Sequence, residues 1–174
     1  WKYKSVDAIL LGWALEQATG KTLPRYFEEN IWHNIGSAYR ASWGEDKKGM
    51  VNTASRFQAS AADLAKLGKL FLQKGSFNGK QVLPASWIAR SLSVPKGAEP
   101  IKKGWWKPSQ QNLWWIPLKG SAEDYTAEGM LGQRLYVDPV TNTIIVQLAE
   151  KGAGDYPYRK IARYLAHKEF NYPE

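Results

Sequence analysis

The sequence predicts an α+β domain in which helices flank an antiparallel sheet. The first two thirds of the 174 residues place apolar side chains at the three- and four-residue spacing of amphipathic helices. The last third carries short β-rich runs and then one more helical pattern. Helices followed by consecutive strands favour α+β layering over alternating β–α–β units with a parallel sheet.

The first predicted helix begins near Ser5 and stops at Gly20. Ser5 is a suitable N-cap because its hydroxyl can accept from a free helical N–H, and glycine suits a left-handed helix end. Pro24 then favours the first turn of a second, short helix. The predicted apolar face of the first helix consists of Val6, Ile9, Leu10, Trp13 and Ala14.

The third predicted helix begins at a capping box formed by Ser60 and Asp63 and ends before Gly75. Between the second and third helices, residues 36–55 form a long polar excursion, a feature that is more often functional than idle in a compact domain. Residues 77–80, Phe-Asn-Gly-Lys, are typical of a turn. Pro84 opens a fourth helix.

The last third predicts strands at Leu113–Leu118, Arg134–Val137 and Thr143–Leu148. Pro117 must lie at the end of its strand or on a sheet edge, because proline has no N–H for a ladder. A five-residue connection joins the second and third strands as a hairpin. The C-terminal helix carries its apolar side chains at Tyr158, Ile161, Ala162 and Leu165.

Composition excludes several classes of protein. Hydrophobic residues make up 44% of the chain, which excludes intrinsic disorder, and no apolar run is long enough to cross a bilayer. The chain has no cysteine, which excludes disulfides and thiol nucleophiles. The only two histidines, His33 and His167, are far apart in sequence, so no metal site is expected.

The chain has 24 lysines and arginines against 16 acidic residues, a net charge of +8. No run of five or six basic residues occurs, which favours a solvated basic surface over a nucleic-acid site. Nine tryptophans are unusual, and they suit either a core or flat stacking platforms.

The usual nucleophile motifs are missing. The sequence contains neither a Gly-x-Ser-x-Gly elbow nor a phosphate-binding Gly-x-x-x-x-Gly-Lys loop. Ser-x-x-Lys occurs only at Ser93–Lys96, and that motif needs a helical turn to place the amine beside the hydroxyl. Pro95 disfavours such a turn, so Ser93 is not expected to be a nucleophile.

Several short segments, taken in order, carry a resemblance to a known family. They include Tyr3-Lys4-Ser5, Leu11-Gly12-Trp13, Ala62–Gly68 and Gly129–Gln133. Over nearly all 174 residues the chain resembles the C-terminal portion of class C β-lactamase-like serine hydrolases. Within that superfamily, which includes penicillin-binding proteins, it is most similar to the esterase and 6-aminohexanoate-dimer hydrolase branch.

The resemblance implies one domain over residues 1–174 with a β-lactamase/transpeptidase-like fold, whose N-terminal strands and nucleophile helix lie outside this chain. It implies hydrolysis of a small-molecule ester or amide through an acyl-enzyme, without a cofactor. The nucleophile would come from a partner segment carrying Ser-x-x-Lys, so this chain alone would be inactive. A periplasmic or secreted location is favoured.

The resemblance also assigns the site residues. Tyr3 matches the family's Tyr-x-Asn or Tyr-x-Ser element and would act in catalysis, while Ser5 either lines the site or caps the helix. The third motif matches Gly129–Gln133, where the Met130 N–H is the candidate oxyanion donor. The site-lining set is Ser5, Gly129, Met130, Leu131, Gly132 and Gln133, and the candidate pocket walls are Trp43, Gln58 and Trp106.

Other interpretations stay open from the residues alone. Tyr3 could be a buried aromatic residue before a helix, and Gly129 with Gly132 could form a bulge at a strand start. No lysine or histidine occurs between Gly129 and Gly132, so the resemblance does not extend to a cation that binds a substrate carboxylate. The chain could instead be an inactive module that binds a cell-wall glycan through its tryptophans, or a basic module that binds an anionic polymer.

Overall fold

A computed structural model describes residues 4–94, 96–98, 108–118, 124–151 and 157–166 of the chain. Two of the candidate site residues, Tyr3 and Trp106, lie outside the described residues. The same is true of residues 99–107, which directly precede the sheet in the chain.

Four of the five described α-helices lie in the first 91 residues. The α-helices are α1 (Ser5–Thr19), α2 (Leu23–Phe27), α3 (Ala61–Leu72), α4 (Ala85–Ser91) and α5 (Tyr158–Ala166). A π-helical turn, Glu28–Trp32, continues α2. Ser60 caps α3 as predicted, because its hydroxyl accepts from the Asp63 N–H at 3.1 Å.

The sheet is a five-stranded antiparallel meander in which each strand pairs with the next along the chain. Its strands are β5 (Pro108–Gln111), β6 (Trp114–Pro117), β7 (Tyr125–Glu128), β8 (Arg134–Asp138) and β9 (Thr143–Gln147). Two small antiparallel pairs precede it, namely β1 (Ser42–Trp43) with β2 (Phe57–Gln58), and β3 (Ser76–Phe77) with β4 (Lys80–Gln81). The predicted α+β class, with helices and an antiparallel sheet, is confirmed.

Helices cover both faces of the sheet. On one face, Leu135 and Val137 of β8 are buried with side chains of α3. Gly68 lets α3 approach closely, since a Cβ there would lie 3.0 Å from both Ile144 and Leu135. On the other face, Tyr136 packs against Tyr158 and Ala162 of α5. The alternation of Leu135, Tyr136 and Val137 between the faces follows from the two-residue period of a strand.

Helix α1 differs from its prediction in two respects. Lys4 is the N-cap and makes no side-chain cap, so Ser5 is the first helical residue and not the cap. The predicted apolar face is also largely exposed, with Leu10 and Trp13 each 53% accessible. The helix packs through Gly12, whose missing side chain makes room for Thr53. A helix that is apolar on nearly every side gives no reliable indication of its buried face.

Two strands of the five-stranded sheet had no prediction from the sequence. Strand β5 consists of Pro-Ser-Gln-Gln, which has no β-branched residue, and β7 consists of the short run Tyr-Thr-Ala-Glu. Strand β5 pairs with β6, and β7 pairs with β6 and β8, so these neighbours supply the hydrogen bonds that form both strands. Pro117 ends β6 and pairs with Pro108 on the edge strand, as its lack of an N–H requires.

Candidate functional site

The segment Gly129–Gln133 forms a tight turn between β7 and β8. Met130–Gly132 is a short 3-10 turn, and the Gly129 N–H closes the segment by donating to the Gln133 carbonyl at 2.8 Å. Leu131 and Gly132 both adopt left-handed backbone, with φ of 60° and 88°. The first N–H groups of such a turn have no acceptor within it, so the turn can present them to a ligand.

Glutamine side chains hold this turn against the end of β9. The Gln147 side-chain amide donates to the Gly132 carbonyl at 2.6 Å, and its oxygen accepts from the Tyr158 hydroxyl at 2.5 Å. The Gln133 side chain bonds both the N–H and the carbonyl of Ala149, the former at 3.1 Å. The turn is therefore fixed from β9, from the segment after it and from α5.

The turn exposes an apolar tip. Met130 is 77% accessible and Leu131 is 58% accessible. Gly132 has a positive φ, which favours glycine. Gly129 has an extended backbone, but a Cβ atom on Gly129 would lie only 3.0 Å from the Gln133 side chain. All five predicted residues of this segment therefore come together in one structural unit, directly before β8.

The structure describes only part of the predicted Tyr3–Ser5 element. Ser5 is exposed at the start of α1, and Tyr3 lies outside the described residues. The prediction that Ser5 lines the site, like the catalytic role of Tyr3, stays a prediction. The alternative that Ser5 caps α1 is excluded, because Lys4 occupies that position.

Ser93 lacks the surroundings of a nucleophile. It follows α4, and its hydroxyl donates to the Arg90 carbonyl at 2.8 Å, which satisfies one free carbonyl at the helix end. Lys96 lies in a turn outside that helix. The helical turn that a Ser-x-x-Lys pair requires is therefore not formed by the described residues of this segment.

The two predicted wall residues that the structure describes, Trp43 and Gln58, lie in the β1–β2 pair. Trp43 pairs with Phe57, and Gln58 pairs with Ser42. The Trp43 indole N–H donates to the carbonyls of Asn52 and Ser55, at 3.1 Å each. The Gln58 side chain is exposed.

Trp43 forms part of the wall of a cavity of about 510 Å³. Much of its apolar lining comes from four aromatic residues, five of whose six pairs have ring centroids 4.8 to 5.8 Å apart: Phe27, Trp32, Trp43 and Phe57. Charged and polar lining comes from Glu28, His33 and Arg40 with two serines. Gln58 is not among the lining residues, so its predicted role in a pocket wall does not extend to this cavity.

A buried carboxylate fixes the loop on one side of this cavity. Asp63 is fully buried and accepts from the backbone N–H groups of Ala38 and Tyr39 at 2.8 and 3.0 Å. It also accepts from the side chains of Ser60 and Lys66. Burial alone would raise the pKa of Asp63, but these four interactions outweigh burial and lower it to about 2.

The sequence identified only part of this arrangement. It indicated Asp63 as a first-turn carboxylate but not as an anchor for a distant loop. It did not assign Phe27, Trp32 or Phe57 to a pocket, and the only available signal was the frequency of aromatic residues in this part of the sequence. In the part of the chain that the structure describes, no three His, Cys, Asp or Glu residues cluster to hold a metal ion.

Comparisons with known proteins agree with this architecture. A model of the Beta-lactamase family matches residues 1–168. A 6-aminohexanoate-dimer hydrolase from Paenarthrobacter ureafaciens is 24% identical over 153 residues, which cover 86% of this chain and 39% of that protein.

Solved structures show the same fold. A Bacillus anthracis protein proposed to be a 6-aminohexanoate-dimer hydrolase superposes with a TM-score of 0.84 at 30% identity, over 95% of this chain and 44% of its own. A β-lactamase from Mycobacterium bovis superposes with a TM-score of 0.64 at 18% identity, over 87% and 57%. The chain thus spans about two fifths of the hydrolases it resembles.

Proposed function

Because the chain belongs to the β-lactamase family, we propose that it supplies part of the active site of a serine hydrolase that cleaves a small ester or amide. Hydrolases of this family are similar to the chain over most of its length. The substrate and the serine mechanism are the parts of this statement that we propose.

The observation that carries the proposal is the fixed turn at Gly129–Gln133. When a serine oxygen attacks a carbonyl carbon, the carbonyl oxygen becomes an oxyanion that needs preoriented donors. The Met130 N–H is our candidate donor, since it begins the turn and a backbone N–H does not depend on the side chain. The hydrogen bonds from Gln147 and Gln133 support a rigid placement of that N–H.

The nucleophile in this proposal is the serine of a Ser-x-x-Lys helix that lies outside the printed sequence. Two observations support this: Ser93 lacks the helical geometry, and the related hydrolases are more than twice as long as their matched regions. The motif lysine would take the serine proton, and Tyr3 would pass a proton to the leaving group. Water would then release the acyl group, and no cofactor is required.

A chemical label tests where the nucleophile lies. We expect a fluorophosphonate probe to leave the isolated 174-residue chain unmodified by intact-mass measurement. The full-length protein that carries this chain should gain one adduct, on a serine outside the chain. An adduct on Ser93 would refute the proposal.

Removal of one hydroxyl tests the role of Tyr3. In the full-length protein, Tyr3→Phe should lower kcat by roughly 100-fold or more, with a nearly unchanged melting temperature, because a positioned acid–base group contributes about 10²–10⁴-fold.

Ser5→Ala is the matched control, and since Ser5 is not the N-cap it should leave the melting temperature unchanged. A loss of kcat in this control would place Ser5 in the site. Full activity of Tyr3→Phe would make the tyrosine a structural residue.

A further inference from the structure

We propose that the aromatic cavity between α2, its π-helical continuation and the loop 37–43 is a binding site for a small carboxylate with an aromatic or apolar body. The cavity holds about 510 Å³, within the range of sites for drug-sized molecules. The argument for this site uses none of the observations behind the hydrolytic role proposed above and does not depend on that role.

The two tryptophans line the cavity with the faces or edges of their rings, and their indole N–H groups are already bonded within the protein. The Trp43 indole N–H is already bonded to two backbone carbonyls, and the Trp32 indole N–H donates to the Tyr39 carbonyl at 3.4 Å. Phe27 and Phe57 complete the floor and have no polar atoms in their side chains. An apolar or aromatic group is therefore the part of a ligand that this floor would bind.

The polar rim differs between its two sides. On the helical side, Oε1 of Glu28 lies 3.5 Å from Nε2 of His33. On the loop side, Arg40 is exposed, and no acidic partner of Arg40 occurs among the described residues. The rim therefore carries a guanidinium on its loop side and the Glu28 carboxylate on its helical side. A guanidinium binds carboxylates through paired N–H donors, so Arg40 is the residue that would hold the acid group of a ligand.

The loop that carries Arg40 is held in place before any ligand binds. Its neighbours Ala38 and Tyr39 donate their backbone N–H groups to the buried Asp63. Lys66 adds a bond from its ammonium to the Gly36 carbonyl at 2.5 Å. A rim that is already ordered loses less conformational entropy when a ligand binds, and this lowers the free-energy cost of binding.

Three probes with one body and different charges test the proposal: 4-phenylbutyrate, 4-phenylbutyramide and 4-phenylbutylamine. Binding to the full chain is measured by calorimetry and by the indole N–H signals in NMR spectra. We expect 4-phenylbutyrate to bind about 1.5- to 5-fold more tightly than the amide, the range for one exposed ion pair, and the amine to bind most weakly.

Three variants test the location. Arg40→Gln should weaken binding of the acid to that of the amide and leave the amide unchanged. Ala41 lines the cavity and packs against the cluster that contains Trp32, so Ala41→Trp should fill the cavity and abolish binding of both. Arg90→Gln, an exposed arginine on α4 that does not line the cavity, is the matched control and should change neither affinity.

The opposite results would overturn the proposal. Absence of saturable binding by all three probes would exclude a ligand site of this chemistry. Binding that survives Ala41→Trp in a variant with an unchanged melting temperature would place the probe elsewhere. Equal affinities for acid and amide, or tighter binding of the amine, would refute the role of Arg40. All these readouts are independent of hydrolysis.

Discussion

Asp63 is a buried charge whose hydrogen bonds tie α3 to a loop 24 residues earlier in the chain. Asp63→Asn keeps the shape but cannot accept at both oxygens, so it leaves some N–H donors unsatisfied. We expect a loss of about 2–4 kcal/mol in the free energy of unfolding. Chemical denaturation measures it, with the exposed Asp46→Asn as a control. A loss as small as that of the control would mean that the loop is held by other contacts.

The lowered pKa of Asp63 predicts an acid-sensitive stability. Its pKa is about 2 in the folded chain against an ordinary value of 3.8. A depressed pKa stabilises the folded state above the unfolded pKa, and this stabilisation is lost as the pH falls from about 4 towards 2. We expect the wild-type melting temperature to fall across this window more steeply than that of Asp63→Asn. Parallel melting curves for the two proteins would contradict this.

At one position, the backbone conformation differs from what the residue type predicts. Leu113 has a φ of 71° in the β5–β6 hairpin, although leucine rarely adopts left-handed backbone. The equivalent hairpin turn at Asn78-Gly79 follows the preferred Asn-Gly pattern, and its residue type predicted the turn. At Leu113, pairing of Gln111 with Trp114 overrides the preference of the residue.

This strain predicts a stabilising substitution. Leu113 is 59% exposed, so Leu113→Gly removes little packing and relieves left-handed strain of about 1–2 kcal/mol. Glycine also makes the unfolded chain more flexible, which offsets part of this effect. We expect the free energy of unfolding, measured by thermal denaturation, to rise by about 0.5–1 kcal/mol. Val140→Gly, at an exposed position without positive φ, is the control and should destabilise. A loss of stability in Leu113→Gly would show that its side chain packs in solution.

At the scale of elements, Gln147 connects β9, α5 and the Gly129–Gln133 turn. Gln147→Leu removes the donor to the Gly132 carbonyl and the acceptor of the Tyr158 hydroxyl. We expect faster amide hydrogen exchange in residues 129–133. If the proposed hydrolytic role is correct, we also expect about a tenfold lower kcat in the full-length protein with little change in KM. The exposed Gln17→Leu in α1 is the control, and equal exchange in both variants would exclude this role.

The sequence predicts best those elements whose local residue preferences agree with their packing in the fold. Helix α3 combines a capping box with an apolar stripe that faces the sheet, and both features were readable from the residues. Strands β5 and β7 were not, since neighbouring strands supply their hydrogen bonds. The buried side of α1 was not readable either, because Gly12 and Thr53 determine it through contact between distant segments.

Of the candidate sites, the sequence predicted the one formed by a contiguous segment and missed the one formed by distant segments. The order of short motifs indicated the Gly129–Gln133 segment, which is one contiguous stretch of the chain. The cavity beside Trp43 unites residues 24–43 with Phe57, and its apolar side chains resemble any other core residues in the sequence. Long-range packing of this kind leaves no periodic signal.

At the scale of the whole molecule, one apolar helix surface and two sheet edges remain uncovered among the described residues. Helix α1 exposes Val6, Leu10, Leu11 and Trp13, and β5 and β9 are the edge strands of the sheet. Exposed apolar patches and open edges favour association. No described helix is both long and apolar enough to cross a membrane.

We therefore expect the isolated chain to associate as its concentration rises, as measured by analytical ultracentrifugation. Leu11→Lys should reduce that association, because Leu11 is 64% exposed in the apolar surface of α1. Val140→Lys, 60% exposed in the β8–β9 connection, is the matched control and should have no effect. A chain that is monomeric at high concentration would contradict this expectation.

The sequential order of the meander has a consequence for the kinetics of folding. Each strand from β5 to β9 pairs only with strands adjacent to it in the chain, so the sheet forms by closing short loops. Closing a short loop costs little entropy. Proteins rich in such local strand pairings therefore fold faster than proteins whose sheets pair strands that are distant in the chain. A ribosome that releases the chain from its N-terminus would expose each hairpin in the order in which it can pair. The sheet can thus grow one strand at a time during synthesis.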